Sequence, residues 1–458
     1  MDRRYFIRTI VGVLCVLSAF VAISQPMSLD SCRRCALQQN KSLLIADELV
    51  RQSGYLVKAA RGAYAPNIDF TGGYFYNQKA LQLVDVDHIR SLVSSLGVPS
   101  SITSALIPDD LFRLDTHHVF AGAVSVVQPI FMGGKIIAAN AIADNVEKLS
   151  LSQRQLAADE VITAVDEAYW LVVSLARKLN LAYSYVELID TLRSNVSDMI
   201  NEGVATRMDE LTVEVARNEA QVQLVQARNG LSLSRMLLAQ LCGMPIDTVF
   251  TLQDEVSVVI SDTFPLLVYG MDGVYARREE LRSMEYLINI AQAQQHLALS
   301  EMLPSLALVG AYTFNTPNLY NGFKTSVDGT FRVGVLLRVP LIHWGTDYYR
   351  YKASRGATVV ARLEKDVAME RIELQVNSCR YKYVEAVQTY KMTAHNVEQA
   401  QQNLDNARLA YSEGVYTLVE VMTAQTAWYQ AQSMYLDAGI AVAVARDNYT
   451  RAVGFNLY

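Results

Sequence analysis

The sequence predicts a mixed fold in which long α-helices alternate with transmembrane β-strands, built from two tandem repeats of one unit. Three observations lead to this prediction. A glycine-centred turn occurs twice, helical patterns continue for much longer than in an ordinary globular domain, and four shorter stretches alternate between apolar and polar residues as strands do.

The repeat is marked by two Glu-Gly-Val turns, centred on Gly203 and Gly414. Each glycine is followed six positions later by an acid, Asp209 in the first copy and Glu420 in the second. The two glycines are 211 residues apart, and other landmarks share this offset. These are Pro129 with Pro340 and Gly243 with Gly454. A shared offset of this kind indicates a tandem duplication.

Composition limits the possible functions. The 458 residues are 51% hydrophobic and 19% charged, with a formal net charge of −6. Because nucleic-acid-binding proteins carry strongly basic faces, this balance disfavours that class. The sequence has no H-E-x-x-H or G-x-S-x-G motif and no glycine-rich phosphate-binding loop. We therefore expect a protein that is not an enzyme and uses no cofactor.

The first 24 residues have the character of a secretory signal peptide. Arg3, Arg4 and Arg8 precede an apolar run over 10–23, and small residues occupy the −3 and −1 positions of a cleavage site before Gln25. A retained membrane anchor is less favoured because the run is short for a bilayer. We expect an exported protein without a transmembrane helix or a lipid anchor.

Prolines mark the ends of the four predicted strands, which we place at 66–77, 118–131, 303–314 and 330–342. The strand-boundary prolines are Pro66, Pro129, Pro304 and Pro340. Pro66 and Pro304 are 238 residues apart rather than 211, so the first repeat contains about 27 extra residues. They fall in a loop over 77–117, which is too long for a compact domain but ordinary outside a membrane barrel.

Long helices are predicted over 134–201, 205–241, 346–411 and 416–453, and shorter ones over 28–62 and 276–302. At 1.5 Å per residue, the first long helix would extend about 100 Å. Four strands cannot close a barrel that holds water, so we expect several copies to share one barrel. The predicted domains are a signal peptide at 1–24, a first repeat at 25–245, a connector at 246–275 and a second repeat at 276–458.

Two groups of residues suggest a metal or redox site only weakly. Cys32 and Cys35 form a C-x-x-C pair. No second pair lies nearby, so a chance position on one helix face or a local disulfide is favoured, and Cys242 and Cys379 are expected to pack in the interior. The loop histidines are more often interfacial than metal-bound, and no metal is predicted. They are His88, His117 and His118.

In order and spacing, these segments resemble the TolC family of outer-membrane efflux proteins, the outer membrane factors. The resemblance rests on the strand entries Tyr-Ala-Pro-Asn-Ile-Asp at 64–69 and Met-Leu-Pro-Ser-Leu at 302–306, on the strand exits at 128–131 and 339–345, and on the two tip glycines with their acids. It covers essentially the whole chain after the predicted signal peptide.

The resemblance implies a homotrimer in which four strands per chain form one 12-stranded outer-membrane β-barrel, continued by a long periplasmic α-helical barrel. It further implies a passive exit duct of a tripartite efflux or type I secretion system. The implied partners are a periplasmic adaptor (membrane fusion) protein and an inner-membrane transporter of the RND or ABC type. A non-conducting coiled-coil protein that bridges the envelope is the alternative, and strands with one apolar and one polar face disfavour it.

The resemblance also implies that the glycine turns lie at the periplasmic tips of the helical hairpins. The candidate tip and gate residues are Gly203, Asp209, Tyr411, Gly414, Glu420 and Thr423. Glu420 matches the first of two acids that form rings across the entrance in the family, whereas Thr423 occupies the position of the second. Tyr411 matches a latch tyrosine, and Tyr416 replaces a latch arginine, so the family's gating does not transfer directly.

Alternatives remain for several of these residues. An acid in the first turn of a helix is favoured by capping and by the helix dipole. We favour that role for Asp209, and we weigh it equally with a pore role for Glu420. Phe131 and Trp344, at strand ends, are expected to lie in an aromatic girdle at the membrane interface, with a core position as the alternative for the tryptophan.

Overall fold

The computed structural model describes residues 26–82, 84–108, 113–255, 269–316 and 327–455. The chain forms two compact units. The helical unit comprises Met1–Gln52, Lys148–Tyr286 and Arg362–Tyr458, and the sheet unit comprises Ser53–Glu147 and Leu287–Ala361. The predicted signal peptide lies outside the described residues.

The described helices include two pairs of equal length. In chain order the helices are α1 (Leu29–Gln39), α2 (Lys41–Gly62), α3 (Val86–Ser95), α4 (Ser100–Leu106), α5 (Lys135–Asn201), α6 (Arg207–Leu241), α7 (Met271–Tyr275), α8 (Glu279–Ser300), α9 (Thr346–Ser412) and α10 (Leu418–Ala452). Helices α5 and α9 have 67 residues each, and α6 and α10 have 35 each. Equal lengths are what a repeated helical hairpin requires. Within the described ranges, no helix combines the length and apolar character needed to cross a bilayer.

The sheet unit contains a four-stranded antiparallel sheet. The strands are β1 (Asn67–Tyr76), β2 (Leu81–Gln82), β3 (Arg113–Leu114), β4 (His118–Met132), β5 (Ser305–Thr316) and β6 (Asp328–Arg338). The sheet has the order β1-β4-β5-β6, and β2 pairs with β3 separately. Strands β1 and β6 are therefore the two edges of the sheet.

Strand register gives the sheet one apolar and one polar face. Residues that face each other across all four strands form rows, and successive rows point to opposite faces. One row is Phe70, Val124, Tyr312 and Phe331, and the next is Asp69, Ser125, Ala311 and Arg332. On the apolar face Phe331 is 75% exposed and Val333 is 69% exposed, so the described part of the chain leaves these side chains on that face uncovered.

Gly122 provides space for an aromatic cluster in this sheet. The Phe314 ring lies 6.2 Å from the ring of Phe70 and 5.9 Å from that of Phe120, measured between centroids. A Cβ atom on Gly122 would lie 2.5 Å from the Phe314 ring. The small residue at this position therefore allows three aromatic rings to pack on one face.

The prediction of one helix over 28–62 is wrong. The chain divides into α1 and α2 because Asn40 adopts an extended conformation as the C-cap of α1. Its side-chain Nδ2 donates to the Leu241 carbonyl at 2.8 Å, and its Oδ1 accepts from the Ser42 N–H at 2.8 Å. A contact 201 residues away in sequence thus sets the end of α1.

Two further predictions need correction. The strand predicted at 330–342 ends at Arg338, where its pairing with Ser305 completes the ladder with β5. Pro340 has no N–H to donate and lies beyond that end.

The segment 77–117, predicted as a long loop, contains α3, α4 and the β2–β3 pair. In the predicted connector, a 3₁₀ turn at Gln253–Glu255 and α7 are described, and 256–268 lies outside the described residues.

The helical unit has a buried ion cluster where α1, α5 and α10 meet. Arg33 donates from Nε and Nη2 to the two oxygens of Asp166, at 2.7 and 2.9 Å. Arg451 donates to Asp166 Oδ2 at 2.6 Å, and Asp447 Oδ2 lies 3.9 Å from Arg33. Asp166 is only 2% exposed, so these bonds compensate a carboxylate that has lost its water.

Candidate functional site

The first hairpin tip is the turn between α5 and α6. Gly203 has a φ of +80°, in the left-handed region. The Gly203 N–H donates to the Ile200 carbonyl at 3.0 Å, and the Val204 N–H donates to the Met199 carbonyl at 2.9 Å. These bonds satisfy carbonyls at the end of α5 as in a Schellman motif. A Cβ atom on Gly203 would meet no atom within 4 Å, so only the backbone conformation requires glycine here.

The second tip, between α9 and α10, repeats this geometry. Gly414 has a φ of +74°. Its N–H donates to the Tyr411 carbonyl at 3.0 Å, and the Val415 N–H donates to the Ala410 carbonyl at 2.8 Å. A Cβ atom on Gly414 would likewise meet no atom within 4 Å. The repeated sequence is therefore a repeated backbone conformation.

The acid after each turn closes a capping box at the start of the next helix. In the first tip, the Thr206 N–H and hydroxyl donate to Asp209 Oδ2 at 2.8 and 2.7 Å. In the second tip, the Thr417 N–H and hydroxyl donate to Glu420 Oε2 at 2.6 and 2.9 Å. Each threonine side chain accepts from the N–H of its acid in return. Both acids thus have a structural role that the fold itself requires.

These bonds favour the charged form of each carboxylate. Hydrogen bonds from the side chain and backbone of Thr206 hold the pKa of Asp209 below its ordinary value. Hydrogen bonds from the backbone and side chain of Thr417 do the same for the pKa of Glu420. Glu420 is exposed and Asp209 is half-buried. The tips therefore present ionised carboxylates at neutral pH.

Apolar residues from both tips share one core. Leu418 and Val421, in the first turns of α10, are 5% and 0% exposed. They belong to the same buried cluster as Val196 of α5 and Val213 of α6. The two hairpin ends therefore pack against each other within one chain.

Tyr411 lies where the two tips meet. It packs against the shared core and is half-buried, which raises the pKa of its hydroxyl, and the negative charge of Asp209 raises it further. Thr423 is exposed, and its hydroxyl donates to the Val419 carbonyl of its own helix at 2.7 Å. The structure brings Tyr411 and Asp209 close together and leaves Thr423 on the helix surface.

Sequence reasoning missed a group of residues behind the tips. The rings of Tyr185 and Tyr429 stack with centroids 4.5 Å apart and connect α5 with α10. Arg217 donates to Asp190 at 2.5 Å and connects α6 with α5. The opposite charges of Arg217 and Asp190 are visible in the sequence. Which charges pair depends on the register of the helical hairpin, and the turn at Gly203 determines that register.

The strand-boundary prolines occupy three kinds of position. Pro66 and Pro304 directly precede β1 and β5, whereas Pro340 lies two residues beyond β6. Pro129 lies inside β4, where the pairing with β5 is shifted between Pro129 and Phe131. Ile130, between these two residues, has no partner in this register, and a bulge is one of the places in a sheet where proline occurs.

The two candidate interface aromatics are exposed in the chain. Phe131 is 50% exposed near the end of β4, and Trp344 is 92% exposed between β6 and α9. Trp344 has a φ of 49°, which is unusual for a residue other than glycine, and Gly345 follows it with a φ of +84°. A position in the core of this chain is therefore wrong for Trp344.

Two of the three loop histidines, His117 and His118, have side-chain hydrogen-bond partners. The Tyr74 hydroxyl and His118 Nδ1 are 2.6 Å apart, and His117 Nδ1 lies 2.7 Å from Asp115 Oδ1. Within the described ranges, no group of three or more His, Cys, Asp or Glu side chains is arranged to hold a metal ion.

Comparison with known proteins shows a family and a fold. The sequence model of the outer membrane efflux protein family matches residues 33–244 and 272–454. The alkaline protease secretion protein AprF of Pseudomonas aeruginosa is 24% identical over 240 residues, which are 50% of this chain and 48% of AprF. The match thus spans about half the length of that relative.

Solved structures resemble the chain over nearly its whole length. One is CusC, whose structures concern the conformational changes that accompany folding and transmembrane channel formation. It superposes on this chain with a TM-score of 0.76 at 12% identity, covering 95% of this chain and 96% of CusC. The Campylobacter jejuni CmeC outer membrane channel gives a TM-score of 0.73 at 15% identity, covering 93% of this chain and 85% of CmeC. At these identities the likeness establishes the fold.

Proposed function

Because the chain belongs to the outer membrane efflux protein family, we propose that it forms the passive exit duct of a tripartite efflux or type I secretion system. Membership confirms the resemblance and places the protein in the outer membrane, with its helices on the periplasmic side. The duct would receive substrates from an inner-membrane transporter through a periplasmic adaptor. The relative AprF, described as a secretion protein, and the channel CmeC support a role in export.

The observation that carries this proposal is the open sheet. Strands β1 and β6 are edges, and they run in opposite directions because the four strands alternate. The β6 edge of one copy can therefore pair with the β1 edge of the next in the same antiparallel manner. A homotrimer would close twelve strands into one barrel, which is wide enough for a lumen.

Closure of the barrel would also place the apolar face of the sheet against lipid and the polar face against water. The row with Phe70 and Phe331 would face lipid, and the row with Asp69 and Arg332 would face the lumen, as in membrane barrels. Phe131 and Trp344 would then form part of an aromatic girdle at the periplasmic interface, which their exposure supports. Without such closure, the apolar face of the sheet would remain in water.

At the periplasmic end, we place Glu420 in the entrance of the duct. Three copies would bring three carboxylates towards one axis, where they would attract cations. Repulsion among them raises the pKa of each, whereas the bonds from Thr417 lower it. Because the cap favours ionisation, the ring is expected to stay charged at neutral pH.

Planar-bilayer recordings test both the duct and the ring. Glu420→Gln removes the charge, while the glutamine can keep the capping bond to Thr417. We expect a higher conductance and a lower cation selectivity than in the unmodified protein. Asp209→Asn makes the matched change in the first tip, where capping is the favoured role, and should leave both quantities unchanged.

The outcomes separate the alternatives. Unchanged conductance and selectivity in Glu420→Gln would remove this residue from the pore while leaving the duct intact. A lack of conductance in the unmodified protein would favour the envelope-bridging role instead. A separate experiment, crosslinked pull-down from native membranes, would identify the partners. An adaptor with an RND pump would indicate small-molecule efflux. An adaptor with an ABC transporter would favour protein or peptide secretion.

A further inference from the structure

Three cysteines from two distant parts of the chain meet in the helical unit. Cys32 and Cys35 lie on α1, and Cys242 is the C-cap residue of α6. The Cys35 thiol donates to the Cys242 carbonyl at 3.3 Å, and the Cys242 thiol lies 3.6 Å from the Cys32 carbonyl oxygen, to which it donates. The thiol of Cys32 is also a direct neighbour of the Cys242 thiol and raises its pKa. All three are free thiols in this structure.

Contacts that do not involve sulfur also hold the end of α6 against the end of α1. A Cβ atom on Gly243 would lie 2.6 Å from the Gln39 carbonyl oxygen, which shows how closely the end of α6 approaches the end of α1. Asn40 binds the Leu241 carbonyl from the other side. Cys32 and Cys242 are both 0% exposed, whereas Cys35 is half-buried. Cys32 and Cys242 therefore lie in the same buried cluster, away from solvent.

The chemistry of this cluster suits a disulfide better than a metal. The described residues contain no set of ligands arranged for a metal ion. The family places the helices of this protein in the periplasm, an oxidising compartment in which thiol pairs persist as disulfides. We propose that Cys32 and Cys242 form a disulfide that links α1 covalently to the end of α6, and that Cys35 remains a thiol.

The oxidant in this proposal is the disulfide of a periplasmic thiol oxidoreductase. The Cys32 and Cys242 sulfurs form one S–S bond, and the S–S bond of the oxidant breaks. Two electrons pass to the oxidant, and its two sulfurs take up the two protons, so that it leaves as a dithiol.

Burial indicates when the reaction takes place. The hydrogen bond with Cys32, together with burial, raises the pKa of Cys242, and burial raises the pKa of Cys35. Because the thiolate is the reactive species, exchange in the finished fold would be slow. Oxidation is therefore expected on the newly exported chain, before α1 closes on α6, and reduction of the finished disulfide needs prolonged incubation with excess dithiothreitol.

The link would stabilise an element that cannot stand alone. Helix α1 has 11 residues, which is too short for a stable isolated helix. A disulfide between Cys32 and Cys242 closes a loop of about 210 residues, and loops of this length restrict the unfolded chain strongly. It would thus prevent α1 from detaching while the rest of the helical unit remains folded.

Peptide mass spectrometry tests the pairing directly. The full-length protein is extracted from outer membranes without reductant, its free thiols are blocked with N-ethylmaleimide under denaturing conditions, and it is then digested. We expect a linked pair of peptides containing Cys32 and Cys242, with Cys35 and Cys379 both alkylated. Alkylation of all four cysteines, or a link that joins Cys35 to either partner, would overturn the proposal.

A matched pair of variants adds a functional measure. Cys379 is also a free cysteine but lies outside this cluster. Dithiothreitol should increase tryptic cleavage near α1 at least several-fold in Cys379→Ser, as in the unmodified protein, and should have no effect in Cys242→Ser. Equal rates with and without reductant in Cys379→Ser would contradict the proposed link. The result depends on the periplasmic location and is independent of whether the protein conducts.

Discussion

Replacing Arg33 by alanine should destabilise the junction of α1, α5 and α10. The Arg33 side chain is 8% exposed and donates two hydrogen bonds to Asp166, at 2.7 and 2.9 Å. It also lies 3.9 Å from the buried Asp447. The substitution leaves two buried carboxylates with one cation fewer, which is the costly way to break a buried ion cluster.

The stability lost in Arg33→Ala depends on the contacts that Asp166 keeps. Removing one partner of a buried pair typically costs about 3–5 kcal/mol. Arg451 still donates to Asp166 at 2.6 Å, so the lower end of that range, about 3 kcal/mol, is expected. The neighbouring Arg34 is exposed, and among the described residues it bonds within α1, to the Asp30 carbonyl and the Ser31 hydroxyl. Its replacement by alanine should cost less than about 1 kcal/mol.

Limited proteolysis under reducing conditions measures this difference, because the reductant removes any covalent link to α1. Where cleavage follows a transient opening, its rate tracks the population of the open state. A loss of about 3 kcal/mol corresponds to cleavage about 100-fold faster within 28–40, against less than about 5-fold for Arg34→Ala. Equal rates in Arg33→Ala and Arg34→Ala would refute the account of this cluster.

Two further predictions concern the tips. Gly414→Ala should cost about 1 kcal/mol through the left-handed backbone alone, since its Cβ atom meets no neighbour, and hydrogen exchange at 411–417 should accelerate several-fold. The pKa values of Asp209 and Glu420 are lower in the folded protein than in the unfolded chain. The capping boxes therefore contribute their full stability above the unfolded pKa, near 4, and lose it as the pH falls through the pKa of the folded state. Exchange protection at the starts of α6 and α10, corrected for the intrinsic rate, should therefore be constant from about pH 5 to 8 and decline below about pH 4. In Thr417→Ala the second tip should lose most of this dependence, and an unaltered pH profile would count against the capping account.

The helical hairpins were largely accessible from the sequence because their limits are local. The glycines at 203 and 414 end α5 and α9 through positive φ, which few other residues adopt. The capping boxes are also locally encoded, by a threonine three residues before each acid, and they agree with the capping role that the sequence favours for Asp209 and holds equal for Glu420. Elements whose ends depend only on neighbouring residues are the ones that sequence patterns predict well.

The remaining features depend on contacts between distant segments. The break at Asn40 exists because the Leu241 carbonyl is available to its side chain. Strand β6 stops at Arg338 because its partner β5 begins at Ser305. The approach of Cys242 to α1 depends on how α6 ends against Gln39. Periodicity gives no information about any of these partners, so the sequence alone could not have placed them.

The repeated capping box changes how the candidate gate should be understood. An acid six residues after the tip glycine caps the start of a helix in both halves of the chain, whether or not it faces a pore. Its presence in the tip motif is therefore weak evidence for gating. The exposure of Glu420, against the half-buried position of Asp209, is the feature that distinguishes the two. Of the two ring positions that the resemblance implies, Thr423 contributes no charge and Glu420 does, so neutralisation of Glu420 should weaken the acidic field there.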